Sequence, residues 1–501
     1  MSQENNSRFA ILATLVAFLL VGGISLILWA VTGRLDRAER IPSQSTNVAT
    51  GDRLPEAIKS KVSAGEQILF PEASEAKEDA VEAIAQGDYA SAITVFNSAL
   101  EENPNDPEAF IYRNNARIAN EDAVTVAVVA PANGNTDIGL EILRGAAQAQ
   151  FDINRNGGVD GMPLRLVIVD DRNEPQVAMA IAQTLVDDSS VVGVVGHYSS
   201  AVTLATVPIY EEGELVTITP VSTAVELSGI SPYLYRTVPS DSFAAAALAA
   251  YMIFYQEDLK AAVYFDSQDE LSASLKEEFI SFVDAWGGDI VDQYDLSQTN
   301  FDPRVQREAQ SQGAQALMIA ASTRTLKEAA AVINFNKRRL PILGGDELYN
   351  RNILEATGPD SRALIVAVPW HLLSRGVNED FVTSSRDIWE GDVSWRTATT
   401  YDAVLSMATA LDDTPTRAGL KQALDSNDFT VDSATGPVNF LPSGDRRQVD
   451  RLVKVETGRR SGVGYDFVPF TVDGDRTTDR TTDRTTDRTT DRAVERSQAS
   501  R

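Results

Sequence analysis

Short runs of β-branched and other apolar residues alternate with helical patterns along most of the chain. The runs lie at 124–130, 164–170, 191–195, 215–219, 261–265, 316–320, 340–343 and 363–368. Strands separated by helices of this length form right-handed βαβ units with mostly parallel sheets. Because so many units exceed a single sheet, the pattern predicts an α/β fold with two parallel-sheet, Rossmann-like lobes.

A helical pattern precedes these strands at residues 74–120. One amphipathic stripe surrounds Ala80 and another surrounds Phe96, with a turn at Gly87 between them, and a third helix follows the break at Pro104. This order resembles the second half of a tetratricopeptide repeat. Since about three repeats are needed for independent stability, the helices must pack against the next domain or against a partner. A plain helical spacer and a docking site for a protein partner both remain open.

The N-terminal region contains an uncharged apolar run at residues 9–31. A helix with ~1.5 Å rise per residue crosses a ~30 Å bilayer core at this length, whereas a cleaved signal peptide has a shorter apolar region of roughly 7–15 residues. We therefore predict a short tail at 1–8 and a transmembrane signal anchor at 9–32, with a cleaved signal as the alternative. More arginines follow the span than precede it, which favours a cytoplasmic body and leaves the topology open.

Two further segments lack sustained periodicity. Residues 33–73 mix charge, Ser, Thr and Pro, which is typical of a linker. Residues 471–501 contain an Asp-Arg-Thr-Thr repeat without an apolar face, so we expect a disordered tail.

Composition and motifs exclude several function classes. The net charge of −28 argues against a nucleic-acid partner, which requires a basic face. The chain has no Cys and only two His. Thiolate metal sites are therefore excluded, and few residues are available for His-based catalysis. Residues 152–157 match the start of an EF-hand loop, but the twelfth position is Pro163 instead of Glu. Since no catalytic motif is present either, we expect no enzyme activity, no cofactor and no metal.

The candidate chemistry lies in two hydroxyl-rich turns, 196–200 and 219–223. Each turn follows a β-branched run and opens a predicted helix. A helix start presents unpaired backbone N–H groups, which together with a hydroxyl stabilise an anion. Two such turns in consecutive βα units converge at the carboxyl ends of the strands, where open α/β sheets bind ligands. The turns therefore predict capture of a small anionic or zwitterionic ligand.

These turns and three further motif pairs occur in one order along the chain. The pairs are Arg144-Gly145-Ala146 with Asp152-Ile153-Asn154, Asp170-Asp171 with Glu174-Pro175, and Tyr401-Asp402-Ala403-Val404 with Thr435-Gly436-Pro437-Val438-Asn439-Phe440. Together they resemble the type I periplasmic solute-binding proteins of the branched-chain amino acid class, which serve ABC importers. The resemblance implies two lobes joined by three crossings within a binding domain at 122–470. Lobe 1 is then about 122–241 plus 369–440, and lobe 2 is about 242–368 plus the C-terminal strands.

The resemblance also implies ligand-binding residues. Ser200, with its neighbour Ser199, belongs to the first turn, and Val221 and Thr223 belong to the second. In relatives these turns hold the carboxylate and part of the ammonium group of an amino acid. Asp346 matches the second-lobe carboxylate that completes ammonium recognition.

Two positions depart from the family pattern. An aromatic residue of many relatives aligns with Glu270, or alternatively with Asp269, and another aligns near Ser322. Losing two aromatic walls and adding acidity argues against a simple leucine pocket. A basic or polar amino acid, or an amide, fits these positions better.

The family implies an extracytoplasmic, membrane-anchored binding protein that delivers an amino acid or related compound to ABC permease subunits. The alternative is a ligand-sensing subunit of the same fold that signals through a partner docked on the helices at 74–120. The flanking arginines leave a cytoplasmic body open as well.

Overall fold

The computed structural model describes residues 56–71, 74–448 and 450–470. The predicted anchor, most of the linker and the repeat tail lie outside the described residues. Within these ranges, every helix is too short or too polar to cross a bilayer.

The strands of the described residues form two main sheets and one hairpin. In chain order they are β1 (Val62–Ser63), β2 (Val124–Val129), β3 (Leu164–Val169), β4 (Val191–Val195), β5 (Thr217–Thr219), β6 (Leu234–Arg236), β7 (Lys260–Phe265), β8 (Asp289–Asp295), β9 (Ala316–Ala320), β10 (Ile342–Gly344), β11 (Leu364–Val368), β12 (Val431–Ser433), β13 (Gly436–Val438), β14 (Arg451–Thr457) and β15 (Tyr465–Pro469). The first sheet has the order β1-β3-β2-β4-β5-β6, and the second has the order β15-β14-β11-β10-β9-β7-β8. Each of the eight predicted runs contains a strand, so the two-lobed α/β prediction is confirmed.

Both sheets are mixed and not wholly parallel. β1 pairs with β3 in antiparallel register, and β14 and β15 add an antiparallel ribbon beside β11. These strands come from the segment before the first βα unit and from the C-terminal hairpin.

Helices cover the faces of the sheets. In chain order the α-helices of the described residues are α1 (Glu56–Lys59), α2 (Glu75–Ala85), α3 (Tyr89–Glu102), α4 (Pro107–Ile118), α5 (Thr136–Arg155), α6 (Pro175–Asp187), α7 (Ser200–Glu212), α8 (Asp241–Ala250), α9 (Glu270–Ala285), α10 (Gln306–Ser311), α11 (Leu326–Asn336), α12 (Arg351–Thr357), α13 (Glu379–Trp389), α14 (Trp395–Leu411) and α15 (Arg417–Leu424). Every residue of β2, β9 and β11 is buried. Burial on both faces explains why these strands are continuous apolar runs.

The chain crosses between the lobes three times. It leaves the first sheet after β6 and enters α8, which packs beside β11 of the second lobe. It returns after β11 to α13, where the Ser385 hydroxyl donates to Gln148 of α5 at 2.9 Å. The last crossing follows Arg446, which pairs with Asp402 of α14 at 2.7 Å, and ends at β14. The three crossings put the lobes on either side of one cleft.

The helices before the first lobe are part of its packing. The Asn115 amide of α4 donates to the Leu166 carbonyl of β3 at 2.7 Å. The Phe110 ring lies 5.7 Å from Phe151 and 5.3 Å from Trp389, between ring centroids. The helices predicted at 74–120 are therefore present, and they pack against the first lobe. Their resemblance to a tetratricopeptide repeat stays a prediction.

Candidate ligand-binding cleft

The first hydroxyl turn connects β4 to α7. The Ser199 hydroxyl accepts a hydrogen bond from Val202 N at 3.4 Å and donates to Asn173 Oδ1 at 2.5 Å. Ser199 is therefore the N-cap of α7, which satisfies one of the free N–H groups of the first helical turn. Its hydroxyl is used within the lobe, whereas the next residue, Ser200, faces the second turn.

Hydrogen bonds join the two turns. Ala224 N donates to the Ser200 hydroxyl at 3.3 Å, and the Ser222 and Thr203 hydroxyls lie 2.8 Å apart. Ser200 and Val221 are both buried. The structure therefore brings together the two turns that the sequence placed in consecutive βα units.

Thr223, the last residue of the second turn, is buried but differs from Ser200 in its hydrogen bonding. The residue is only 4% exposed. Its Oγ1 makes no well-aligned hydrogen bond among the described residues, but it lies close enough to the Asp241 carboxyl to oppose the rise in the pKa of that acid. A cavity of about 10 Å³, enough for roughly one water molecule, lies between the lobes and is lined by Thr223 and by three carboxylic acids, Asp241, Asp346 and Asp450. Thr223 and Asp346 thus face one space from opposite lobes.

Each acid comes from a different part of the chain. Asp346 begins a 3₁₀ turn directly after β10, at the carboxyl end of the second sheet. Asp241 begins α8 after the first crossing, and Asp450 precedes β14 at the last crossing. Asp346 and Asp241 are buried.

Burial disfavours the ionised form of these acids. Loss of hydration, then repulsion from Glu347, raises the pKa of Asp346 to about 8. Loss of hydration raises the pKa of Asp241 to about 7, against opposing effects of Ser274, Thr223 and Arg236. The pKa of Asp450 is raised well above its usual range by burial and by the charges of the other two acids. The cavity thus holds three carboxyl groups whose neutral, protonated form is favoured by burial.

A second contact set closes the cleft beside this cavity. Glu347, next to Asp346, accepts from Arg396 Nη2 at 3.2 Å and from the Tyr198 hydroxyl at 3.4 Å. Tyr198 follows β4 and Arg396 lies in α14. Two side chains of the first lobe therefore bind a carboxylate of the second lobe. Ser274 of α9 also accepts from Val225 N at 3.1 Å. The lobes therefore touch directly at two places.

Of the seven predicted site residues, Thr223 and Asp346 line this cavity, whereas the other five do not: Ser199, Ser200, Val221, Glu270 and Ser322. Glu270 is exposed at the first position of α9, and its neighbour Asp269 caps that helix by accepting from Ser272 N at 3.0 Å. Ser322 is buried, and its hydroxyl donates to Asp266 Oδ2 at 2.6 Å. Asp269 and Ser322 thus have local structural roles at the carboxyl edge of the second sheet.

Sequence reasoning missed Asp241, Asp450, Glu347, Arg396 and Tyr198. Asp241 follows a serine at a helix start, where an acid is usually explained by the helix dipole. Asp450 carries no local signal. Only the crossings bring these two acids beside Asp346.

His197 lies near the turns but is fully buried. Its Nδ1 is 2.7 Å from Asp171 Oδ2, and its Nε2 is 3.0 Å from the Tyr210 hydroxyl. Both ring nitrogens are therefore used inside the lobe, which agrees with a packing role. Within the described ranges, no group of three His, Cys, Asp or Glu side chains is spaced to hold a metal ion.

Comparisons with known proteins agree with this architecture. A family model described as periplasmic binding protein matches residues 123–458. The Leu/Ile/Val-binding protein of Escherichia coli K12 is 25% identical over 337 residues, which cover 66% of this chain and 90% of that protein. An amino acid binding protein of Pseudomonas aeruginosa is 35% identical over 146 residues, 28% of this chain, and the match spans 39% of that protein's length.

Solved structures share the fold. A leucine binding protein from Thermotoga maritima aligns with a TM-score of 0.60 at 22% identity and covers 70% of this chain and 99% of its own. An ABC transporter substrate-binding protein from Desulfitobacterium hafniense, in complex with Leu, aligns with a TM-score of 0.59 at 24% identity and covers 69% and 100%. With its two lobes, three crossings and the match over residues 123–458, this chain belongs to the periplasmic binding protein family.

Proposed function

We propose that this chain captures an amino acid, or a related small zwitterion, outside the cytoplasm and delivers it to the permease subunits of an ABC importer. The observation that carries the proposal is one cavity with Thr223 of the first lobe on one side and Asp346 of the second on the other. Segment 9–32 anchors the protein in the membrane, and the binding domain extends over 122–470. The boundaries of its lobes follow the three crossings.

The roles of the residues follow from their chemistry. Ser200, Thr223 and the backbone at Val221 provide hydroxyl and N–H donors at a helix start, which bind a carboxylate. Asp346 accepts hydrogen bonds from an ammonium group. Only an arrangement with both lobes in contact satisfies both ends of the ligand, so binding favours that arrangement.

A thermal-shift screen of the full-length protein in detergent tests this function. The screen covers amino acids, their amides and urea. A ligand present at 100 times its Kd stabilises the protein by about 2.7 kcal/mol. We expect at least one amino acid to raise the melting temperature. A folded protein that no member of the set stabilises would contradict amino acid capture.

The transport role needs a separate test, because a ligand-sensing subunit would bind the same molecule. Cross-linking in native membranes, followed by purification on a tagged chain, identifies the neighbouring subunits. We expect ABC permease subunits. Recovery of a signalling protein dependent on α2–α4 would instead support the sensor.

A further inference from the structure

Helix α4, in the segment before the first lobe, carries two arginines one helical turn apart. The side-chain hydrogen bonds of both go to amide oxygens: Arg113 Nη1 donates to Asn97 Oδ1 at 3.4 Å, and Arg117 Nη1 donates to Asn114 Oδ1 at 3.5 Å. Within the described residues, neither guanidinium forms an ion pair with a carboxylate. Because like charges at this spacing repel each other, the pair is unfavourable for the helix itself.

Arg113 is held in place despite this repulsion. It is half-buried, and its guanidinium carbon lies 4.4 Å from the centroid of the Phe110 ring. Burial, then repulsion from Arg117, lowers the pKa of Arg113 to about 10. The packing therefore fixes a cation at this position without supplying an anion for it.

A second cation in the same helical segment is treated differently. Lys77 of α2 is buried and forms ion pairs with Asp106 at 2.8 Å and with Glu108 at 2.7 Å. Buried charges are normally paired in this way. In comparison with Lys77, Arg113 lacks its counter-ion.

A groove of about 290 Å³ lies beside Arg117, between α4 and α5. Arg155, the exposed last residue of α5, lines the groove together with Arg117. Ile118 and Phe151 add apolar side chains, and Glu121 is the single acid of the lining. The groove therefore offers two guanidinium groups beside an apolar surface.

The positive surface is small. Phe151 and Arg155 also line a second groove, towards α13, whose lining includes Asp152, Asp380 and Asp387. The whole chain has a net charge of −28, so an extended polyanion such as a nucleic acid or an anionic bilayer is repelled by most of the surface. A short acidic segment interacts mainly with the nearby arginines, because charges are screened over ~8 Å at physiological ionic strength.

We propose that Arg113, Arg117 and Arg155 form a docking site for a short acidic segment of a protein partner. Carboxylates of the segment bind the guanidinium groups, which match them in bidentate geometry. An apolar side chain of the segment packs in the groove against Ile118 and Phe151. None of these residues lines the cavity between the lobes, so the site goes beyond the proposed ligand capture and does not depend on it.

Fluorescence anisotropy with the full-length protein in detergent tests the site. The probe is a labelled hexaglutamate peptide, and labelled hexaglutamine is its neutral counterpart. We expect hexaglutamate to bind at least about 10-fold more tightly than hexaglutamine at low salt, and its affinity to fall as the salt concentration rises. Equal binding of the two peptides would overturn the proposal.

A double variant locates the binding. Arg113→Gln with Arg117→Gln should weaken hexaglutamate binding about 10-fold or more. Arg307→Gln with Arg339→Gln makes the same charge change on the second lobe, where Arg307 also lies over an aromatic ring, 5.3 Å from the centroid of Phe335; this control should bind as the wild type does. If the first double variant does not fold, Arg117→Gln alone changes an exposed residue and should weaken binding about 3-fold. Equal weakening in the control would overturn the assignment to α4.

Two further probes separate an acidic peptide from other anions. Orthophosphate represents a small anion, and dihexanoyl-phosphatidylserine represents a lipid headgroup. We expect neither to displace hexaglutamate at concentrations at which unlabelled hexaglutamate does. If one of them binds in an arginine-dependent way while hexaglutamate does not bind, a small-anion or lipid site would replace the protein partner and overturn the proposal.

Discussion

The two walls of the cavity differ in how their buried polar groups are hydrogen-bonded. On the first-lobe side, Thr223 lines the cavity, and Ser199, Ser200 and Ser222 of the two turns behind it are hydrogen-bonded within the lobe. On the opposite side, buried acids face one another without a cation. The first wall presents hydroxyl groups, and the second presents carboxyl groups whose neutral form is favoured by burial when no ligand is bound. This contrast indicates a ligand whose two ends differ in charge.

Removing the hydroxyls of the neutral wall gives the largest expected effect. Hydrogen bonds to charged groups contribute about 1.5–3 kcal/mol each, so Ser200→Ala with Thr223→Ala should weaken ligand binding on the order of 100-fold or more. Calorimetry measures the loss, and circular dichroism verifies the fold. Thr94→Ala with Ser98→Ala removes two exposed hydroxyls of α3 and serves as the control. Unchanged affinity in the cleft variant would remove the turns from the site.

Neutralising the acidic wall should weaken binding and stabilise the free protein. Asp346→Asn removes the charge that binds the ammonium group, and we expect about 100-fold weaker binding of amino acids, within the range of 2–5 kcal/mol for a buried charge pair. The deamino analogue of the ligand should lose much less. An equal loss for both ligands would contradict the assignment to the ammonium end.

The same variant has the opposite effect on stability. The pKa of Asp346 in the ligand-free fold, about 8, exceeds that of an unfolded chain. Its contribution to stability is therefore full below the unfolded pKa and is lost as the pH rises through about 8. Asp346→Asn should raise the melting temperature of the free protein at pH values near 8 and change it less near 5. Asp428→Asn should change it little at either pH. A lower melting temperature at pH 8 would indicate a structural role for the carboxylate.

Binding should depend on pH in the reverse direction. Asp346 is influenced by Glu347, Arg396 and Asp241, and a cationic ligand binds the ionised form of the cluster. Affinity should fall as the pH decreases from about 9 to 6, approaching about 10-fold per unit for each proton taken up. Titrations across this range measure the slope. Asp346→Asn should flatten it, and a wild-type affinity that rises on acidification would contradict the account.

Weakening the contact between the lobes at Glu347 should have the smallest effect on ligand affinity. Glu347→Gln keeps an acceptor for Arg396 and Tyr198 but removes the charge, and Glu141 still lies 3.7 Å from Arg396 Nη1. We expect about 1 kcal/mol weaker lobe contact and roughly 5-fold weaker ligand binding. Tighter binding in this variant would mean that the pair opposes ligand capture.

The sequence predicted the strands better than the acidic wall. Buried strands such as β2 and β9 are continuous apolar runs, and their periodicity is local. β1 has only two residues, and β8 is a partly exposed edge strand with an aspartate at every third position, so neither gives a comparable signal. The antiparallel edge strands pair with segments that are distant in the sequence, so a local pattern does not predict them.

The residues of the site likewise divide into those with a local sequence signal and those without one. Ser200 and Thr223 lie in turns that a strand and a helix start define locally, and the structure brings these turns together. Asp241 lies at the first crossing and Asp450 at the last. Because the two crossings are far apart in the sequence, no local sequence pattern connects these acids. The aromatic positions, Glu270 and Ser322, were aligned by resemblance, and their side chains are exposed or locally bonded.

The central claim is that opposite lobes hold the two charged ends of one metabolite. Calorimetry of the tightest amino acid from the screen, with its carboxamide and its deamino acid, tests this most directly. The account predicts that each analogue binds at least about 100-fold more weakly than the parent, because each removes a charge that one wall recognises. Full affinity for either analogue would contradict it.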